Sequence, residues 1–343
     1  MKKIKAILAI MMASLLVLSL GACSSQGENT PSEGTVPTTE AVDATLPEGE
    51  SVSVYTLKGP TGMGMAQLID EDKEKGDFTF TIAGAPDEIT AAVINGDADI
   101  AACPVNLASV LYNRTSGGVK ILALNTLGVT YLVTNGVEVN SIEDLRGKTI
   151  VSAGQGATPE YILTKLLTDS GLEIGKDVFV EYKSEHADVA SLVVSGQAQI
   201  GLLPEPNVTS VSLQSPNVKV ALDLTKEWQN LYGKQLVQGC VIGRADFVAK
   251  YPAEVDNFLK NYAESVEFIN TATDEAAQMI VDAGIIPKAP IAKKAIPQSY
   301  ITFIAGENMK ALTKDNLQVL FDANPKSVGG QLPADDFYYA YAG

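Results

Sequence analysis

Histidine occurs once in the 343 residues, at His186, and cysteine three times, at Cys23, Cys103 and Cys240. So sparse a supply leaves no His/Cys spacing with which to hold a metal ion. It also leaves no second histidine to activate a Ser or Cys nucleophile, which argues against the hydrolase arrangements. No cofactor is implied. Basic residues are in deficit as well: 25 Lys and Arg face 41 Asp and Glu, a formal net charge of −16. A chain of that sign is a poor partner for nucleic acid or an anionic lipid surface. Beyond residue 20 no apolar run is long enough to cross a bilayer.

What is present begins at the N-terminus, where Lys2, Lys3 and Lys5 precede an apolar run from Ala6 to Leu20. Residues 1–22 read as a signal peptide, because the run is short for a spanning helix and has no positive flank after it. Leu20-Gly21-Ala22-Cys23 resembles the lipobox of bacterial lipoproteins, which implies that Cys23 becomes a lipidated N-terminus on the outer face of the cell membrane. Loss of three lysines and no acids would move the net charge from −16 to −19. Residues 23–49 are rich in Ser, Thr, Pro, Gly and Glu and predict a disordered tether, with a reach on the order of 25 to 30 Å.

About 290 residues follow, more than one hydrophobic core usually holds. They contain a repeat one hundred positions apart. On the pattern V-x-x-G-x-A-x-I-x-x-x-P, the pairs Val93/Val193, Gly96/Gly196, Ala98/Ala198, Ile100/Ile200 and Pro104/Pro204 are identical. Each copy reads as a helix, a glycine stop and a strand, the second half of a βαβ unit. Two similar α/β lobes are therefore expected, each a mostly parallel sheet flanked by helices, facing one another across a cleft. An extended apolar run at Val129–Thr134 and another at Leu236–Ile242 predict two crossings between them. The expected division is lobe I over 50–132 and 236–343 and lobe II over 133–235, with a hinge that permits little besides opening and closing.

Two glycine loops lead from strands into helices: Lys58 to Gly64 in the first lobe, and Ala153 to Glu160 in the second, where Thr158 suits an N-cap and Pro159 the first helical position. Helix N-termini bring backbone N–H groups to a ligand. Glu205, held between Pro204 and Pro206 at a strand end, is either a ligand contact or a structural acceptor for neighbouring backbone; a buried carboxylate there needs a donor. Lys58, Arg114 and Lys183 read as solvated, Tyr55, Tyr131, Tyr161 and Trp228 as packing residues, and His186 as structural. Cys103 and Cys240 lie in apolar strand-like runs and read as buried free thiols, with pairing left open. The aromatic end, Phe337 to Tyr341, is expected to pack.

With lipobox, tether, lobes and crossings in this order, the chain resembles the type II solute-binding lipoproteins of ABC importers, the family with nitrate-, sulfonate- and thiamine-precursor-binding members. The residues that carry the likeness are Asp87-Glu88-Ile89, Asn95 to Ala101, Ser141 to Thr149, and Val194-Ser195-Gly196 through Leu203 to Pro206. The resemblance implies an extracytoplasmic monomer that captures a small-molecule solute between two lobes, does no chemistry on it, and delivers it to ABC permease subunits. It points to Gly59, Thr61, Gly62, Met63, Pro104, Val105, Asn106, Asn125 and Thr126 in lobe I, and to Gln155, Gly156, Ala157, Thr158 and Glu205 in lobe II, as ligand-binding. Two alternatives stay open: a tethered ligand sensor, and a pyrimidine-synthase-like enzyme of the same fold, for which the required His and Cys cluster is missing. The acidic balance and Glu205 lean towards a neutral or cationic solute.

Overall fold

The computed structural model describes residues 44–343 apart from 154, 157 and 342. The predicted signal peptide, Cys23 and most of the tether lie outside the described residues. Where residues 44–49 can be followed, Ala44 and Leu46 rest against the first lobe's core. The end of the 23–49 segment is thus docked, because Leu46 finds an apolar face within reach of the first strand.

Two sheets organise the chain. The first has six strands in the order β11-β4-β10-β3-β1-β2: β1 (Val52–Leu57), β2 (Phe78–Ala83), β3 (Ile100–Pro104), β4 (Val119–Leu127), β10 (Val237–Arg244) and β11 (Ile301–Ile304). The second runs β7-β6-β8-β5-β9, from β5 (Thr130–Asn135), β6 (Thr149–Ala153), β7 (Phe179–Lys183), β8 (Ile200–Pro204) and β9 (Val218–Asp223). The pairings make β1 to β4 point one way and β6 to β9 likewise. The opposed strands are the short β11 and the two crossings themselves, β10 and β5, so the sheets are mixed in pairing and mostly parallel in direction.

The repeat occupies equivalent places in both lobes. Helix α3 (Pro86–Asn95) leads to β3 as helix α6 (His186–Val194) leads to β8, and Gly96 and Gly196 both turn the chain at positive φ, 83° and 75°. Only glycine adopts that conformation without strain.

Strand alternation separates four cores, two per sheet. Val52, Val54, Ile100, Ala102 and Val241 face one side of the first sheet, under α2 (Ala66–Lys75), α9 (Ala245–Lys250), α10 (Pro252–Ile269), α11 (Asp274–Asp282) and α12 (Ala289–Ala295). Ala101, Cys103, Ile121, Cys240 and Ile242 face the other, under α3, α4 (Val105–Arg114) and α13 (Gly306–Ala323). Cys103 and Cys240 stand opposite each other in the β3–β10 pairing, both buried and without a disulfide between them. In the second lobe Leu132, Ile150, Leu202 and Trp228 form one core, with α5 (Thr158–Asp169) and α8 (Leu224–Tyr232). Tyr131, Val133, Val151 and Leu203 form the other, with α6 and α7 (Asn207–Gln214). Phe337 is buried and Tyr338 partly so, so the aromatic end packs. No helix among the described residues is long and apolar enough to cross a membrane.

The crossings differ in detail from the expected boundaries. All six residues of β5 pair in the second sheet or continue its ladder, so the division at 132/133 cuts a strand and the passage is Gly128-Val129. On the return, Leu236 belongs to a second-lobe core and Val237 to a first-lobe core. Gln238 ties the two passages together: its Oε1 accepts from the Val129 amide and its Nε2 donates to Thr130 Oγ1 at 3.0 Å. A Cβ on Gly128 would lie 1.8 Å from Thr225 Oγ1, so α8 approaches the hinge as closely as a backbone without a side chain allows.

Candidate functional site at the lobe interface

Because strands β1 to β4 and β6 to β9 are codirectional, each sheet delivers its loops to one edge. The two edges face each other. Gly59, after β1, has its Cβ position 3.8 Å from Pro206 Cδ, after β8. Asn106, after β3, accepts at Oδ1 from Thr158 Oγ1, after β6, at 2.6 Å. First-strand loop meets third-strand loop on one flank, and third meets first on the other, as a pseudo-two-fold relation between lobes requires.

On the flank of Gly59, the short helix α1 (Pro60–Met63) is pressed so hard on β1 that a Cβ on Gly62 would lie 2.2 Å from Leu57 O. The amides of Gly62 and Met63 are satisfied by Gly59 O at 3.0 and 3.1 Å. They are not the free donors a ligand-binding helix N-terminus offers, since four residues form only one turn. Met63 is fully buried in the core, and its side chain packs there. Asn125, also fully buried, donates from Nδ2 to Thr61 O at 3.2 Å and accepts from Thr126 Oγ1 at 3.0 Å, so this pair supports the loop from beneath.

Glu205 closes β8 and is 1% exposed. Its two carboxylate oxygens accept from the Thr209 amide and Thr209 Oγ1, both at 3.1 Å. Burial outweighs those bonds and pushes its pKa up to about 7. Nearby, two tyrosines cross in opposite senses. Tyr131 of the second lobe donates to Gln298 O at 2.8 Å, and Tyr300, at φ 44°, donates from the first lobe to Asp223 Oδ2 at 2.9 Å. Burial first, then the Asp223 carboxylate, raises both phenols above their ordinary pKa.

The other flank is built at its centre from amides and hydroxyls. Asn106 also donates from Nδ2 to Ser327 O at 3.3 Å, which fixes it against the turn Pro325–Val328 after α13. Pro104 pairs with Gly239 at the end of β3, while Val105 is 1% exposed and belongs to the core, so its side chain does not face the cleft. Gln155 and Gly156 are exposed, and the Gly156 amide is taken by the Glu160 carboxylate, which removes another expected free donor. Ala157 lies outside the described residues.

Of the sequence-predicted residues, then, Gly59, Thr61, Asn106, Asn125, Thr126, Thr158 and Glu205 gather where the loops of the two lobes meet. Met63 and Val105 do not. Lys58 and Arg114 are exposed, Lys183 pairs with Glu181 at 3.6 Å, Trp228 is core, and burial lowers the pKa of His186. Sequence reasoning passed over Gln238, Asp223, Gln298 and Tyr300. Gln238 had a visible signal, a lone amide inside the apolar run Leu236–Ile242; the others had none.

Comparison with known proteins gives the same picture. Residues 71–229 match the family model described as ABC transporter, phosphonate, periplasmic substrate-binding protein. No curated protein sequence matches the chain. Among solved structures, an ABC transporter protein from Parabacteroides distasonis superposes with a TM-score of 0.72 at 20% identity, over 84% of this chain and 98% of that one. The periplasmic aliphatic sulphonate-binding protein SsuA from Escherichia coli gives 0.67 at 15%, over 86% and 94%. The periplasmic nitrate-binding protein NrtA from Synechocystis gives 0.52 at 15%, over 69% and 67%. These likenesses establish the two-lobed type II fold, and within it residues 71–229 are similar to the periplasmic substrate-binding proteins of ABC transporters.

Proposed function

We propose that this chain captures a neutral or cationic nitrogenous solute between its lobes and hands it unchanged to its permease, as a monomer held to the outer face of the membrane by lipid on Cys23. The ligand residues in this reading are Gly59, Thr61, Asn106, Gln155, Thr158 and Glu205, with Asn125 and Thr126 holding the Thr61 loop in place from beneath. Glu205 carries the argument. Each of its oxygens accepts one bond from Thr209 and retains further acceptor capacity, and no Lys or Arg pairs with it among the described residues. A ligand ammonium or ring N–H would supply the missing donor with a charge-assisted bond. Where Glu205 is ionised, an oxyanion such as those named for the sulphonate- and nitrate-binding relatives would instead meet a second negative charge.

Thermal unfolding of the full chain tests the solute class. Amines and N–H-bearing heterocycles are expected to stabilise it, by about 2.7 kcal/mol at one hundred times Kd, and Glu205→Gln should weaken the best of them about tenfold. Stabilisation by methylphosphonate, methanesulfonate or nitrate alone would overturn the reading.

A further inference from the structure

Helix α13 shows its most apolar stripe at Met309, Leu317 and Leu320, all buried in the first lobe's core. Two polar side chains interrupt that stripe at helical spacing. Thr313 is 0% and Asn316 3% exposed, and Thr313 Oγ1, Asn316 Oδ1 and Asn316 Nδ2 find no hydrogen-bond partner among the described residues. Buried polar atoms are almost always paired, so three unpaired ones on adjacent turns of one helix require an explanation.

Their position supplies one. Residues flanking Asn316 reach the opposite lobe: Asp315 pairs with Lys234 at 3.1 Å, and Val319 packs on the second-lobe core around Leu163 and Trp228. Leu317 and Leu320 reach the first lobe. Asn316 therefore sits at the seam between lobes, on the flank that Asn106 and Thr158 close. A carboxamide with both donor and acceptor unsatisfied complements a ligand edge that offers an acceptor beside a donor. A carboxamide, a lactam and a 2-aminoazine have that edge; a sulfonate or nitrate, with acceptors only, satisfies half of it.

Building on the solute-binding reading above, we infer that Asn316 and Thr313 form a second polar subsite at the lobe seam, specific for a solute group with adjacent hydrogen-bond donor and acceptor. The unpaired amide is then a cost to the unliganded chain that binding removes, a trade of stability for function.

The test uses the full chain with nicotinamide, 2-pyridone and 2-aminopyridine as probes, and compares wild type with Asn316→Leu and Thr313→Val by calorimetric titration and thermal unfolding. At least one probe is expected to bind wild type, with its Kd raised tenfold or more in Asn316→Leu and several-fold in Thr313→Val. The melting temperature of each unliganded variant should equal or exceed that of wild type. Equal affinity in wild type and both variants overturns the subsite, as does a fall in unliganded stability with affinity retained, which would mark an ordinary hydrated core pair. Should Asn316→Leu fail to fold, the Kd of Thr313→Val decides. If none of the three probes binds while another solute stabilises the chain, the subsite fails and the solute-binding reading stands; if no solute of any class stabilises it, both fail.

Discussion

The two flanks of the cleft are built from corresponding loops of a duplicated unit, yet their chemistry has diverged. On the Gly59–Pro206 flank the lobes are joined by Tyr131, Tyr300 and Asp223 beside a buried carboxyl at Glu205. At the centre of the Asn106–Thr158 flank the groups are an amide and a hydroxyl. The first flank has a buried carboxyl at its centre, whereas the second has its charged groups, Glu160 and the Lys234–Asp315 pair, only at its edges. A pseudo-symmetric frame thus offers a solute two unlike walls, one of which senses protonation.

The largest expected effect separates them by pH. Glu205 has a folded pKa raised to about 7 from the ordinary 4.5, and burial is the main cause. Between those values the native chain holds a proton there that the unfolded chain has lost, so the contribution of Glu205 to stability is fully present below pH 4.5 and is lost as pH rises through 7. The loss, on the order of 3 kcal/mol, follows from linkage. Glu205→Gln preserves the shape and the Thr209 contacts, so the difference in urea midpoint between it and wild type should be steep across pH 4.5 to 7.5 and flat above. Asp72 and Asp99, also raised by burial, contribute equally to both chains and cancel. Thr158→Val carries no titrating group and should leave the wild-type pH slope intact. Parallel profiles for wild type and Glu205→Gln would remove the distinction between the flanks.

How much of this was legible in sequence depends on the range of the interactions. The repeat around Gly96 and Gly196, the two crossings and the loop positions rest on local patterns, a periodicity and a turn residue, and they read through directly. The boundary at 132/133 misses the passage at Gly128-Val129 because an apolar extended run does not reveal which sheet it joins. Met63 and Val105 sit in expected ligand loops, and the local helix turns each side chain inward to a core, a direction that loop position alone does not reveal. Tyr300 and Asp223 are 77 residues apart, and no local pattern pairs them. Asn316 was more accessible than it looked, since Met309, Thr313, Asn316 and Leu320 share one helical row and polar members of a core stripe are a visible signal.

A middle-sized effect compares the bonds that close each flank. Tyr300→Phe removes a hydroxyl donor to a carboxylate, and Thr158→Val removes one to a neutral amide oxygen. Bonds to charged groups contribute roughly 1.5 to 3 kcal/mol and neutral ones about 1. Tyr300→Phe should therefore cost about twice as much in the urea midpoint, and it should speed release of a bound solute more than Thr158→Val does. Equal losses would mean that the Asp223 carboxylate is already satisfied by the Thr225 amide at 3.0 Å, which caps α8, and gains little from Tyr300.

The smallest effect lies at the outer rim of the Asn106–Thr158 flank, where Lys234 and Asp315 bridge the second crossing to α13 at 3.1 Å. Their side chains are 45% and 55% exposed, so water screens the pair and the long Lys234 side chain must be ordered to hold it. Such pairs contribute about 0.2 to 1 kcal/mol, less in salt. Lys234→Met keeps the aliphatic stem and should lower stability by less than about 0.5 kcal/mol, with the difference vanishing in molar sodium chloride. A loss as large as that of Tyr300→Phe, persisting in high salt, would show that the Asn106–Thr158 flank is held by the ion pair at its edge, and the contrast between a wall centred on a buried carboxyl and one centred on amides and hydroxyls would have to be withdrawn.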